Sequence, residues 1–478
     1  EPKILWNKFA DLNEVPRPSK NEERVIEFMK NFGNKLKLET TVDKVGNVII
    51  KKPATSGMEG KKAVVLQSHL DMVHQKNNNT NFDFDTQGIE MYVDGDWVRA
   101  KGTTLGADNG LGVATIMAIL ESDSIAHPAI EALFTIDEET GMTGAKGLES
   151  GLLRGEILLN LDTEEDDEIG IGCAGGVDVT AIRRYKEEET PEGMSAFKIT
   201  LNGLQGGHSG MDIIKGLGNA NKLMNRLLYN ASENFGVRIA AISGGGLRNA
   251  IPRESEATVL VDDFQIKAFE SELENEFESI QSEFSSLEPK MNLEVEKIEL
   301  PATVMAMETQ EIFLKTIYAA HNGVFRMSPE IDGLVETSNN IAKVEVKNGT
   351  INIKCLSRSS VESSKDDLSN ALRAVFELAD FEVSLSGDYP GWAPNRDSDI
   401  LKVLDNLYMN LFNEKADVAA CHAGLECGII GSHYPEMDMI SFGPTIRGAH
   451  SPDERASISS SQKYWKFVIE ILKNIPKK

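Results

Sequence analysis

The chain has 478 residues, several times an ordinary domain, and 41% of them are hydrophobic, enough for more than one core. Its 49 Lys and Arg against 75 Asp and Glu leave a net charge of −26, which disfavours nucleic acid or an anionic bilayer as a partner. Four cysteines (Cys173, Cys355, Cys421, Cys427) without zinc-finger spacing exclude a disulfide scaffold and predict a reducing, cytoplasmic setting, and no run of ~18 apolar residues predicts a membrane span.

Ser19-Lys20-Asn21-Glu22 has capping-box spacing and predicts a helix start, with Val25, Phe28, Met29 and Phe32 on one face. Residues 47–50 and 63–66 read as short apolar strands. Residues 110–120 are apolar on every side, so they predict a core helix packed on a sheet. Residues 132–136 and 157–161 follow as buried strands. This alternation predicts an α/β fold, with a mostly parallel sheet and helices on both faces.

The character changes near residue 185, and 187–193 (EEETPEG) predict a linker. Beyond it come a strand over 197–201, a helix over 217–228 and strands over 238–242 and 258–261. A long acidic helix then carries Ile266, Phe269, Leu273, Phe277, Ile280 and Phe284 at helical spacing, one buried stripe opposite a solvated face. A helix over 311–320, strands over 343–346 and 351–356, and a helix over 366–378 follow. Asn249-Ala250-Ile251-Pro252 echoes Asn339-Asn340-Ile341-Ala342, which points to duplicated β/α units. After about residue 385 helix and apolar strand resume, ending in a helix over 459–475. The expected architecture is a discontinuous domain of 1–190 and 385–478, interrupted by an inserted α+β domain over 191–384.

Acid and histidine side chains stand where these strands end. His69 and Asp71 follow the strand over 64–66, Glu138 and Glu139 the strand over 133–136, and Asp162 ends the strand over 157–161. Asp108 sits in a glycine-rich loop opening the apolar helix, and His450 follows the apolar run 439–442. Ligands gather at the carboxyl ends of strands in an open α/β sheet. Each element alone has a bland explanation: a Glu pair is a solvated patch, and a strand-end Asp caps a helix. Together, in the order His, Asp, Glu-Glu, Asp, His, they predict a metal site. Two Zn²⁺ are balanced by Asp108, Glu139, Asp162 and a shared hydroxide. Nitrogen and carboxylate donors without thiolate suit Zn²⁺, with Co²⁺ or Mn²⁺ as substitutes. Asp108 is the expected bridge, Asp71 the acceptor that orients the His69 ring, and Glu138 the general base for the bridging water.

The same order and local words resemble the dinuclear zinc metallopeptidases that include aminoacylase and glutamate carboxypeptidase. Longer stretches resemble the bacterial aminoacyl-histidine (Xaa-His, or β-alanyl-histidine) dipeptidases: 68–76 (SHLDMVHQK), 102–113 (GTTLGADNGLGV), 137–145 (DEETGMTGA), 170–176 (GIGCAGG), 206–210 (GGHSG) and 422–428 (HAGLECG). The resemblance runs over essentially the whole chain. It implies His69 and Asp162 on one zinc, Glu139 and His450 on the other, Asp108 between them, Asp71 orienting and Glu138 as base. It also implies a catalytic domain interrupted by a lid, and a homodimer joined through the lid domains.

Within the insert, His208 lies in a glycine-rich turn, where capping is the bland explanation; the resemblance implies that it stabilises the oxyanion, often across the dimer. Asn249 is a candidate substrate contact. Arg358 ends an alternating strand, either as a solvated edge residue or as a bidentate clamp on a dipeptide carboxylate. His422 and Glu426 of the loop 422–428 are candidates to line the substrate pocket. The expected function is a cytoplasmic dizinc dipeptidase acting on small peptides, with Xaa-His dipeptides such as carnosine preferred. Its rivals are a tripeptidase, aminoacylase or carboxypeptidase of the same group and, from another class, a non-catalytic binding homologue.

Overall fold

The computed structural model describes residues 2–478, and the chain divides into two compact units. One runs to Gly172 and adds Trp392–Ala420 and Leu425–Lys478; the other comprises Cys173–Gly391 and Cys421–Gly424. The divisions fall at Cys173 and Gly391 rather than near 190 and 385. The strand Gly175–Arg184 pairs with Glu382–Tyr389 and with Thr350–Ser359 inside the second unit's sheet, which carries both ends of the insert further out than charge and Pro/Gly content suggest. The expected linker over 187–193 contains a short strand, Glu187–Glu189, paired with Thr303–Met305.

In the first unit an eight-stranded sheet runs in the order Glu39–Val42, Val48–Lys52, Ile130–Thr135, Val64–His69, Ile157–Asn160, Asp438–Ser441, Glu168–Cys173, Asp417–Cys421. From Ile130–Thr135 to Asp438–Ser441 the neighbours are parallel, and antiparallel pairs flank them. Every residue of Val64–His69 and Ile130–Thr135 is buried, which is why the stretches 64–66 and 132–134 within them read as apolar runs. The helix Ala107–Glu121 is buried at every residue except Asp108 and Glu121, matching its all-round apolar sequence. Gly112 permits the close approach: a Cβ there would lie 2.4 Å from Ser68 Oγ and 2.7 Å from the Leu161 carbonyl oxygen. The parallel strands end at His69, Thr135 and Asn160, so the residues that follow each of them emerge at one edge of the sheet.

The second unit is built on a nine-stranded antiparallel sheet. It contains two copies of a βαββαβ motif. One copy is Met194–Asn202, helix Ala220–Phe235, Arg238–Gly245, Ser255–Asp262, helix Ile266–Glu283 and Asn292–Ile298. The other is Gly175–Arg184, helix Met307–Ala319, Val335–Lys347, Thr350–Ser359, helix Glu362–Leu378 and Glu382–Tyr389, with the first copy inserted after its opening strand. The copies join where Arg238–Gly245 pairs with Val335–Lys347, and Gly323–Met327 adds the ninth strand beside the latter. The expected duplication is therefore present, although the echo that suggested it is not at equivalent positions. Ala250–Ile251 lies between the second and third strands of one copy, whereas Asn339–Ala342 lies inside the second strand of the other. The helices' apolar stripes, such as Phe269, Leu273 and Ile280, close one continuous core against this sheet.

Candidate active site

Asp108 stands just inside the helix Ala107–Glu121, with non-helical backbone angles and a cis peptide to Asn109. Asn109 donates from Nδ2 to the Leu161 carbonyl at 2.6 Å, tying this turn to the end of the strand that carries Asp162. The two Asp108 oxygens face opposite ways. Oδ1 lies 3.2 Å from His69 Nε2, which is also 3.4 Å from Asp162 Oδ1. Oδ2 lies 3.2 Å from His450 Nε2, which is 3.0 Å from Glu139 Oε2. His69–Asp108–Asp162 and Asp108–Glu139–His450 thus form two donor groups sharing one carboxylate, and each could hold a metal ion. Buried Glu139 Oε1 and Asp162 Oδ1 have no hydrogen-bond partner, as expected of oxygens whose partner is a cation.

Asp71 braces this arrangement. Its Oδ1 lies 3.4 Å from His69 Nδ1 and accepts from the Glu138 amide at 3.0 Å, while Oδ2 accepts from the Glu139 amide at 3.3 Å. Ser19 Oγ donates to the same Oδ2 at 2.8 Å. This corrects the capping-box expectation: the helix starts at Glu23, after Glu22 and without a side-chain cap, and the Ser19 hydroxyl serves Asp71 instead. A third group, His69, Glu138 and Glu139, brings the candidate base to the same edge.

The carboxylates set the local field. Hydrogen bonds to Asp108 and Glu139 push the His450 imidazole up to about 11. Burial opposes protonation of His69, yet Asp162, Asp108 and Asp71 hold its pKa well above the ordinary value. Burial pushes Asp162 up to about 6 and Glu138 well above the usual carboxylate range, with nearby carboxylates adding to both shifts. The cluster favours positive charge at both ends, which two cations would supply.

His422 and Glu426 go to different units, His422 to the second and Glu426 to the first. Glu426 has 0% exposure; its Oε2 accepts from Gln67 Nε2 at 2.7 Å and from Thr135 Oγ1 at 2.6 Å. Burial pushes it up to about 8, with His69, Asp162 and Asp71 close enough to act on it. Its place is thus beneath the strand-end cluster, held by the sheet, rather than on an open pocket wall as expected from its loop.

In the second unit, His208 forms a two-residue strand, Gly207–His208, paired with Ala250–Ile251. Its Nδ1 accepts from the Gly210 and Met211 amides at 3.2 and 3.1 Å, so the neutral ring carries its proton on Nε2. Burial, then Arg358, lower His208 to about 4 and His422 to about 3. His422 Nε2 is 2.7 Å from Ser338 Oγ. The Arg358 guanidinium is nearly buried, donates from Nη1 to Tyr389 Oη at 2.7 Å, and leaves Nε without a partner. It is therefore no solvated edge arginine. Asn249 is exposed, and its carbonyl accepts from the Ser209 amide at 2.8 Å.

The model of Peptidase family M20/M25/M40 matches residues 65–474. The chain belongs to this family. Over its full length this M20 peptidase is 43% identical to the cytosol non-specific dipeptidase of Escherichia coli, covering 98% of that protein. The crystal structure of aminoacylhistidine dipeptidase from Vibrio alginolyticus is 43% identical and superposes with a TM-score of 0.93, covering 100% of this chain and 98% of that one. Aminopeptidase PepT from Bacillus cereus shares the fold at 15% identity and a TM-score of 0.58, covering 99% of each chain. No helix among the described residues is long and apolar enough to cross a membrane.

Sequence reasoning about this M20 peptidase missed Gln67 and Thr135, which hold Glu426, and Tyr389, which holds Arg358. Gln67 offered one signal, as a polar residue inside a wholly buried strand. Tyr389 offered none.

Proposed function

We propose that this chain is a two-metal dipeptidase that prefers Xaa-His dipeptides. Full-length identity of 43% to a dipeptidase supports the reaction class: the chain is a metal-dependent hydrolase of short peptides. The divided Asp108 carboxylate, with a His and a second carboxylate on either side, is the observation that carries the two-metal reading. In it, His69 and Asp162 would hold one cation and Glu139 and His450 the other, with Asp108 serving both groups. Bound there, two Zn²⁺ (or Co²⁺ or Mn²⁺ as substitutes) would polarise the scissile carbonyl and acidify the attacking water. Glu138, its main chain held by Asp71, would take a proton from the attacking water on its carboxylate and return it to the leaving nitrogen. His208, protonated on Nε2, donates to the developing oxyanion, from the same chain or a partner. Arg358 holds the substrate carboxylate, oriented by Tyr389, and Asn249 and His422 supply further polar contacts.

The preference for histidine is supported by the named relative from Vibrio alginolyticus. A cytoplasmic location is supported by the cytosolic relative, and we place a homodimer interface on the second unit, the proposed lid, tested by light scattering on chains lacking parts of it. The decisive experiment is hydrolysis of a dipeptide panel with and without chelator, for the unaltered chain and for Glu138→Gln. The variant is expected to lose about 10²–10⁴-fold in kcat while keeping its metal. Loss of metal from it would make Glu138 a ligand. Faster cleavage of tripeptides or N-acyl amino acids would replace the dipeptide reading.

A further inference from the structure

Glu454 lies four residues beyond His450 and is 2% exposed. Its carboxylate accepts from four successive amides of the Asp108 loop. Oε2 takes Leu105 N at 2.7 Å and Gly106 N at 3.0 Å; Oε1 takes Ala107 N at 2.7 Å and Asp108 N at 3.3 Å. On the carbonyl side of the same loop sits Arg17, 1% exposed, donating from Nη2 to Gly106 O at 2.6 Å. Its Nη1 reaches Leu70 O at 3.1 Å and Asp71 O at 3.2 Å, on the segment just after His69. The peptide between the two charges is thereby clamped from both sides. Gly106, at a φ of +69°, leaves room for this: a Cβ there would lie 2.5 Å from Arg17 Nη2.

We propose that Glu454 is a positioning residue that locks the Asp108 loop to the His450 turn and so pre-forms the cation position shared by Asp108, Glu139 and His450. Charge-assisted hydrogen bonds to backbone amides are the strong kind, and four from one carboxylate fix both the height and the tilt of the loop. Asp108 and His450 are 342 residues apart; pairing of Arg455–Ser457 with Trp97–Ala100 brings their segments side by side, and Glu454, at the edge of that pairing, fixes the Asp108 loop itself. Residues behind metal ligands typically tune affinity 10–100-fold. Glu454→Gln keeps the size but replaces one acceptor oxygen by an amide donor, which then faces N–H groups.

This inference rests on the two-cation reading, and the test separates the two. Chelator-stripped chain is titrated with Co²⁺, followed by visible absorption and calorimetry, for the unaltered chain, Glu454→Gln and Glu454→Asp. The unaltered chain is expected to bind in two steps. Glu454→Gln should weaken one step about 10–100-fold and leave the other within threefold, with circular dichroism unchanged. Glu454→Asp, which keeps the charge but reaches fewer amides, should fall between them and serves if the Gln variant does not fold. Equal weakening of both steps, or none in either variant, overturns the positioning role while leaving the two-cation reading intact. Failure of the unaltered chain to bind a second Co²⁺ overturns both.

Discussion

The two units treat the same side chain in opposite ways. In the first, His69 and His450 are surrounded by carboxylates, and His450 is pushed up to about 11. In the second, half-buried His208 and buried His422 lie near Arg358 and fall to about 4 and 3. Imidazole itself titrates near neutrality, so its neighbours decide whether it behaves as a cation or as a neutral hydrogen-bond donor. A cluster that attracts positive charge suits metal; a neutral ring beside a guanidinium suits a substrate that brings its own negative charge.

That contrast can be broken most sharply at the metal cluster. His450→Ala removes a donor from one side of Asp108, so elemental analysis is expected to find one tightly held cation in place of two, with turnover nearly abolished. Retention of both would remove His450 from the ligand set, and His433→Ala serves as the neutral control. His208→Ala should leave the metal content untouched and lower kcat by about 10²–10³-fold, the usual cost of one oxyanion donor. An unchanged kcat would return His208 to a turn residue. Arg358→Met should act chiefly on KM, raising it about 10–100-fold for free dipeptides and much less for dipeptide amides, which lack the carboxylate. Equal effects on both substrates would show that the guanidinium does not read that charge.

The smallest effect is a pH slope. Burial and Arg358 depress His422 to about 3, whereas an unfolded chain takes up that proton near 6.5. The contribution to stability is therefore whole above about pH 6.5 and is lost as pH falls toward 3. Urea midpoints of His422→Asn should show a flatter decline over that window, by up to ~1.4 kcal/mol per pH unit. A parallel decline would mean that His422 is not held neutral.

Much of the site was legible because parallel strands announce themselves. The strands ending at His69, Thr135 and Asn160 begin in apolar runs and are buried on both faces, so the residues just beyond them had to emerge at one edge. His69, Asp108, Glu138, Glu139, Asp162 and His450 do come together there. Ser19 was legible as a polar signal but misassigned, since a capping box and a hydroxyl bound to a distant carboxylate look alike in sequence. Glu426 shares a loop with His422, and only packing reveals that it is enclosed by Gln67 and Thr135. Arg17 stands between two prolines and Glu454 within an Asp-Glu-Arg triplet, contexts that read as surface. The repeat in the second unit was expected for a reason that does not hold, because an interrupted motif leaves its halves far apart along the chain.

The linear order of residues determined the element types, the apolar helix over the central sheet and the identity of the donors, since these follow from local periodicity and the chemistry of each side chain. Tertiary structure alone decided where the units divide, that Asp108 turns one oxygen toward each histidine, and which histidines lie among carboxylates and which near a guanidinium. Those properties depend on distances of about 3 Å between residues 39 and 342 positions apart, and on the burial that comes with them.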